Sequence, residues 1–502
     1  MGNTNVSKSA EDKQLSTEQL NVLGKISPEA MKAVEDFEET SKTMATGYET
    51  NPADQTGGAV LRPEELDAEI TLLTYDESDL DFFNKVPRDR VSTTAYQFAV
   101  QTDHGGAGPH RFTNEYDISS VTDPVLRKNS VHMKYISDTK RQTIANKLSA
   151  KLEDSTRLLT RDAVINIAKT IEWASFYGDS NLTADTGIEG GGIQFDGLAK
   201  LIDPDNVLDV RGEALSQEIL NEAAVIVGKG YGTPTDAFMP IGVQAKFVNN
   251  YLYNQTQIVA NNSNNVDLGY NVQRFNSVRG PIELHGSTIM ELDNILDEKA
   301  LAKNAASAPM APKVEVAVAP GRGQFTGEND LTDYSYKVVV VGTDATSRPS
   351  EQVTTAVTEA NQEVTLTIDV TSMYQAEPQY VSVYRQGKRD GEYWLIGNVP
   401  LSALDGTSLT FVDSNQTLPE TADIFLGEMS ASVISLLEFF PMTRIPLAQQ
   451  DATMTFTVLW YGALALRAPR KWVQIKNVDA ITVRDPHNSG NQGGHSFPSR
   501  NA

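Results

Sequence analysis

The side chains able to do chemistry are few and badly spaced for it. The six histidines are His104, His110, His132, His285, His487 and His495; no two stand at i, i+4 in a helical stretch, and none belongs to an HExxH pattern. His104 and His110 share a glycine-rich stretch where a metal pair is conceivable, but solvated loop histidines are the commoner outcome. VIVGKGYG sets a lysine among glycines but lacks GxxxxGK[ST], so it reads as a helix end with a turn rather than a phosphate cradle. There is no GxSxG, and no GxGxxG opens a helix after a strand. DPDNVLD (203–209) has no glycine at its sixth position and fails as a calcium loop. With 66 acidic residues, any pair chosen as glycosidase carboxylates would be arbitrary. The sequence therefore gives no catalytic residue, no metal site and no cofactor. What remains is a basic cluster, Arg467, Arg470 and Lys471, within YGALALRAPRKWVQIKNV (461–478). It could hold nucleic acid, an anionic substrate or another protein.

Composition narrows that choice. The chain has 502 residues, long enough for two or three domains, and its 40% hydrophobic content supports packed cores. The formal net charge of −24 repels phosphate backbones, which argues against a general nucleic-acid binder. There is no cysteine, so disulfides, thiolate metal sites and cysteine nucleophiles are excluded and a reducing compartment fits. No window holds about 18 uninterrupted apolar residues, and no membrane partner is expected. The polar start, MGNTNVSKSAEDKQ, shows no secretory signal.

The elements that would position these residues read as follows. Residues 1–60 are polar and mostly acidic, with two short helical stretches in 15–42. YQFAVQ (96–101) and SVHMKYIS (130–137) alternate as half-exposed strands do, around a polar glycine-rich tip at 102–117. Two strands alone bury too little to be stable, so such a hairpin needs a surface supplied by something else. From Thr139 to Tyr177 there is neither Gly nor Pro, Asp138 is a plausible N-cap, and Ile144, Leu148, Leu152, Leu159, Ala163, Ile167 and Ile171 form one apolar stripe. The spacing predicts a long helix of about 60 Å if unbroken, with a single break expected. Residues 179–300 mix glycine-rich turns, helices and short strands. An Ala/Pro linker (301–313) then leads to regularly spaced strands expected to form an all-β sandwich over 309–427, itself acidic with 7 basic against 16 acidic side chains. Mixed structure returns at 428–484, and the low-complexity tail 485–502 is expected to be disordered.

The order of parts, together with EWASFYGD (172–179), QFDGLAKLID (194–203) and the YGALALRAPRKWVQIKNV stretch, resembles the major capsid proteins of tailed bacteriophages with the Hong Kong 97-type fold. The resemblance covers about three-quarters of the chain. It implies an α+β fold: an N-terminal arm (1–80), an extended hairpin loop (81–137), a spine helix of the peripheral domain (138–180), an axial domain with part of the peripheral domain (181–308), and a return to their sheet (428–484). DYSYKVVVVGTDATSRPSE and YVSVYRQGKRDGEYWLIGNV resemble immunoglobulin or fibronectin III strands, so 309–427 is expected to be an inserted domain of that kind.

The family resemblance implies a non-enzymatic protein that self-assembles into hexamers and pentamers of an icosahedral head enclosing double-stranded DNA, without sequence-specific binding. It would reside in the virion after assembly in the host cytoplasm. Scaffolding protein, portal and maturation protease are the implied assembly partners, with VEDFEETSK (34–42) a candidate cleavage site. The hairpin tip (102–117) holds no lysine and Lys128 and Lys134 lie toward its shaft, so covalent crosslinking is not expected. Candidate inter-subunit contacts are Arg467, Arg470, Lys471, His104, His110, Arg111 and Lys128, with carboxylates of neighbouring acidic subunits as the expected partners of the first three. The alternatives are another phage structural protein, such as a tail tube or sheath, and a carbohydrate-active hydrolase with an accessory β-sandwich.

Overall fold

The computed structural model of the chain describes residues 79–105, 115–116, 123–148, 155–182, 192–252, 273–292, 294–297, 309–325, 332–342, 346–369, 378–389, 391–401, 408–448 and 451–480. The arm, the linker at 301–308, the C-terminal tail, His110 and Arg111 lie outside them.

The first described elements are α1 (Asp81–Lys85), β1 (Arg88–Arg90), β2 (Ala95–Asp103), β3 (Val125–His132) and β4 (Lys134–Thr143). Then come α2 (Ile144–Leu148), α3 (Ser155–Tyr177), α4 (Leu198–Leu201), β5 (Val207–Asp209) and α5 (Gln217–Lys229). β6 (Asp236–Pro240), α6 (Ile241–Leu252), β7 (Arg274–Ser277), β8 (Gly280–Ser287) and α7 (Ile289–Leu292) follow. Seven strands come next: β9 (Lys313–Pro320), β10 (Asp333–Gly342), β11 (Val353–Ala356), β12 (Gln362–Asp369), β13 (Pro378–Gln386), β14 (Tyr393–Pro400) and β15 (Ser408–Asp413). The last are β16 (Thr421–Gly427), β17 (Ile434–Pro446), β18 (Thr453–Leu466) and β19 (Trp472–Asp479).

Three cores organise them. A four-stranded sheet, β1-β17-β18-β4, carries α3 on one face. Ala163, Ile167 and Ile171 of the helix share a core there with Phe456, Val458 and Trp460 of β18, because alternate residues of β18 point to that face. A six-stranded sheet, β5-β19-β16-β6-β8-β7, buries α5 and α6 through Leu220, Ala224, Val243 and Phe247. Ser216 caps α5 by accepting a hydrogen bond from the Ile219 amide. The third core joins a four-stranded sheet, β11-β10-β13-β14, to a three-stranded one, β15-β12-β9, through Tyr336, Val338, Val364, Leu366 and Val383. Inside it Arg385 pairs with Asp413 at 2.6 Å and Tyr336 donates to the same carboxylate at 2.9 Å, so the buried charges are matched.

Two expectations are corrected. Residues 138–143 are strand rather than the start of a helix, and Asp138 sits in the middle of β4 instead of capping anything. The reason is non-local: β18 offers a complete antiparallel ladder, from Thr453 opposite Thr143 to Gly462 opposite Lys134. The absence of Gly and Pro permits either structure, and the partner strand decides. Helix α2 begins only at Ile144, and Leu152 lies outside the described residues. The second correction concerns the end of the 309–427 interval. Thr421–Gly427 pairs with β19 and β6 in the six-stranded sheet, not with the seven strands before it.

Ile167 is 1% exposed while Thr170, one turn on, faces water. A charge at Ile167 would be buried without a partner, so Ile167→Asp should cost about 3–5 kcal/mol or abolish soluble folding, whereas Thr170→Asp should stay within about 0.5 kcal/mol. Soluble yield and thermal melting of the two variants check this.

Candidate inter-subunit surface

Among the described residues the hairpin is the least self-sufficient element. β2 and β3 pair only with each other, from Ala95 opposite His132 to Asp103 opposite Val125. Six of the eight residues of β3 are exposed, Val125 and Leu126 among them. Lys128 stands on this strand opposite Ala99. His104 lies just past β2, its Nδ1 at 3.2 Å from Gln101 Nε2. No face of the hairpin is buried as a strand's face ordinarily is.

Arg467 holds the base of this hairpin. Its guanidinium donates to Asp89 just beyond α1 at 2.8 Å and to the Ala431 carbonyl, and it lies 5.8 Å from the Tyr96 ring centroid of β2. Burial opposes its charge, but Asp89 and Tyr96 outweigh that and hold its pKa above the ordinary value. Arg470 and Lys471 belong to a different feature, the 3-10 turn Pro469–Lys471 that links β18 of one sheet to β19 of the next. Arg470 Nε donates to Asp203 Oδ2 at 3.1 Å, and Lys471 Nζ to Glu428 Oε2 at 3.1 Å. Asn206 Nδ2 clamps the turn through the carbonyls of Arg470 and Trp472, at 2.9 and 3.0 Å. The three basic residues expected to find carboxylates on neighbouring subunits thus find them in their own chain. They do not form one site, and only Arg470, with 74% of its side chain exposed, keeps its charge at the surface.

Motif spacing missed two clusters. Asp236 of β6 and Glu283 and His285 of β8 come together because those strands run parallel with Asp236 opposite Glu283. Their ligand-type atoms lie within 4.8 Å of one another. The Lys85 ammonium from α1 sits among them, paired with Asp236 and Glu283 and 3.1 Å from His285 Nε2, so a cation of the chain itself fills the position a metal would take. Burial alone would raise the Asp236 carboxyl, but hydrogen bonds from His285, Lys85 and Thr235 hold it below its ordinary value. The residues are about 150 and 200 positions from Lys85, and no local pattern announces them.

The other missed group is Glu172 of α3, which is fully buried. Its Oε2 accepts from the Phe83 amide at 3.3 Å, serving α1, whose own cap position, Leu80, offers no side-chain acceptor. Its Oε1 has no hydrogen-bond partner. Burial, with added repulsion from Asp81 and Asp79, pushes its pKa up to about 7 against the pull of the Phe83 and Phe82 amides. Elsewhere Arg389, with Glu420 (2.7 Å) and Asp479 (2.9 Å), the latter also paired with Lys246, ties the loop after β13 to the six-stranded sheet.

Among the described residues three main cores are joined by internal ion pairs, and the hairpin touches the body through Tyr96 and Val131 while most of β3 is exposed. No family model matches the chain. Curated relatives do. The major capsid protein of Staphylococcus phage K is 49% identical over 448 residues, covering 89% of this chain and 96% of that one. The protein described as the major capsid protein of Enterococcus phage phiEF24C is 49% identical over 453 residues, 90% of this chain and 97% of that one. The chain belongs to the major capsid protein family of these phages. Among solved structures, the capsid of a native GTA particle matches with a TM-score of 0.44 at 8% identity, covering 86% of this chain and all of that one. The holo-SrpI encapsulin of Synechococcus elongatus PCC 7942 matches with a TM-score of 0.42 at 9% identity, covering 84% and 95%.

Glu172 gives a pH prediction. A carboxyl whose pKa is about 7 when folded and 4.5 in its ordinary state binds its proton more tightly in the folded chain. Its burial therefore costs stability progressively as pH rises from about 4.5 to 7, reaching about 3 kcal/mol above that range. Glu172→Gln should be the more stable protein at pH 8 by up to that amount, and its advantage should shrink toward pH 5. Denaturant midpoints of both proteins across pH 5–8 check this.

Proposed function

We propose that this chain builds the shell of a tailed-phage head, as hexamers and pentamers of an icosahedral capsid around double-stranded DNA. The observation that carries this reading is the 49% identity, spread over nine-tenths of the chain and nearly all of its capsid relatives. The described residues agree with it in three ways. The β2–β3 hairpin has the exposure of an element that lies on a neighbour. The ion clusters are spent inside the chain, as suits a rigid building block. A net charge of −24 lets packaged DNA slide past the wall rather than adhere to it.

On this reading the fold is of the Hong Kong 97 type, with α3 as the spine helix, β17 and β18 in the peripheral domain, and the six-stranded sheet in the axial domain. The seven strands β9–β15, arranged as sheets of four and three over one core, are the inserted immunoglobulin or fibronectin III-like domain. Scaffolding protein, portal and maturation protease are its partners during assembly in the host cytoplasm, and the finished shell is part of the virion. Subunits are held by many modest contacts of standard size or larger, without covalent links.

Electron microscopy of assembled particles tests the reading. Closed shells whose subunit envelope accepts this fold are expected, whereas tubes or a monodisperse monomer would overturn it. In the same particles, denaturing electrophoresis should show a single protomer band, because the tip stretch 102–117 carries no lysine for a crosslink.

A further inference from the structure

One turn places an exposed aromatic where a helix closes: the Gly232 amide donates to the Val227 carbonyl at 3.0 Å and the Tyr231 amide to the Gly228 carbonyl at 3.1 Å, which puts Tyr231 at the left-handed position after α5. Tyr231 has φ +61°, a left-handed conformation that disfavours a bulky side chain. Among the described residues five other non-glycines share positive φ: Arg211, Asn361, Asn415, Glu420 and Asn477. The asparagines tolerate that region, and the side chains of Arg211 and Glu420 are bonded within the chain to Gln324 and Arg389. At Tyr231 the helix closure sets the angle, and glycine is the usual residue there. Tyr231 is flanked by Gly230 and Gly232, and a third glycine in its place would relieve the strain, yet a tyrosine stands there with its side chain 91% exposed. The helix closure accounts for the backbone angle but not for a tyrosine in place of glycine, and in the single protomer that tyrosine faces solvent.

The surroundings say what the task is. The turn rests on Pro469–Lys471: a Cβ at Gly230 would lie 2.1 Å from the Arg470 carbonyl oxygen, so the two turns touch backbone to backbone. The β7–β8 turn closes the other side, with Arg279 Nη2 donating to the Gly232 carbonyl at 3.0 Å and the Val278 amide to Asn221 Oδ1 of α5 at 3.3 Å. Val278 is 74% exposed and Val225, on α5, 40%. These three turns hold Lys229, Arg279, Arg470 and Lys471 and no carboxylate. Arg470 and Lys471 meet Asp203 and Glu428, while among the described residues Lys229 and Arg279 meet none. A protruding aromatic with valines beside it and cations around it, on a chain of net charge −24, is complementary to the acidic surface of another such chain.

We infer that the corner formed by Tyr231, Val278 and Arg470 is a contact between copies of this chain, with Tyr231 the apolar anchor and Arg470 at its rim facing an acidic patch of the second copy. The inference rests on the shell reading above and assigns it a specific surface. The chain's lack of cysteine makes the test clean, because Tyr231→Cys introduces a single thiol. In assembled shells that thiol should react with a maleimide at least tenfold more slowly than in dissociated protomers. Tyr231→Gly should leave the free protomer at least as heat-stable as the wild type, since it relaxes φ, but lower shell yield about tenfold at equal concentration. Arg470→Glu should also lower the yield, and Arg470→Lys should restore most of it. Tyr231→Cys shells in which the thiol reacts as fast as in protomers, or Tyr231→Gly shells at normal yield, would overturn the inference and leave the shell reading standing. A wild-type chain that forms no shell would overturn both.

Discussion

The packing of four phenylalanines is the constraint on which the rest of the body depends. Phe82 of α1, Phe176 of α3, Phe238 of β6 and Phe425 of β16 are all fully buried. Phe82 lies 4.9 Å from Phe176 and 5.2 Å from Phe238, and Phe176 lies 5.4 Å from Phe425, in tilted, edge-on and stacked arrangements. The cluster joins the long helix, the six-stranded sheet and the short helix from which the hairpin departs. Aromatic contacts of this kind are worth about 0.5–1.5 kcal/mol each beyond the area they bury, and here they meet at one point.

Polar groups around that cluster follow from it. His285 stacks on Phe238 at 4.9 Å and lies beside Asp236 and Lys85, so the ion cluster is fixed by the same ring that packs against Phe82. Glu172 precedes Phe176 by one helical turn and serves an α1 amide beside Phe82, which is why its carboxylate is buried despite the cost. The exit from α3 is equally constrained. A Cβ at Gly178 would stand 2.4 Å from the Phe195 carbonyl, and the Gly197 amide donates to the Gly178 carbonyl at 2.8 Å. That close approach is the physical content of the FYGD and FDGL stretches: glycines let the chain turn back beneath the buried Phe176.

For a shell protein this division of labour makes sense. Charged residues that bind within the chain make the block rigid, and among the described residues the hairpin and the corner at Tyr231 stand out as exposed surfaces. The hairpin leaves strand unburied in a single copy, and the corner leaves a tyrosine in solvent. Assembly would cover each of them only when neighbours are in place.

Much of the architecture was legible from pattern alone. Period-two alternation located β2 and most of the strands between 313 and 413, because that signal lives within a few residues, but the second expected hairpin strand, 130–137, straddles the end of β3 and the start of β4, which belong to different sheets. The lack of any catalytic motif and the strongly acidic balance pointed away from enzymes and nucleic-acid readers. What the sequence left undecided needed partners distant along the chain. Lys134–Thr143 became strand because β18, more than 300 residues later, supplied its ladder. Arg467 and Arg470 pair with Asp89 and Asp203, 378 and 267 residues away, so much of the basic cluster that looked like a binding site is an internal joint, with Arg470 alone keeping its charge at the surface. Tyr231 reads in the sequence as one aromatic between two glycines, and only its backbone angle and exposure mark it out. Local order is written in neighbouring residues, whereas charge pairing, burial and strain are properties of the closed fold, and the tertiary structure alone decided them.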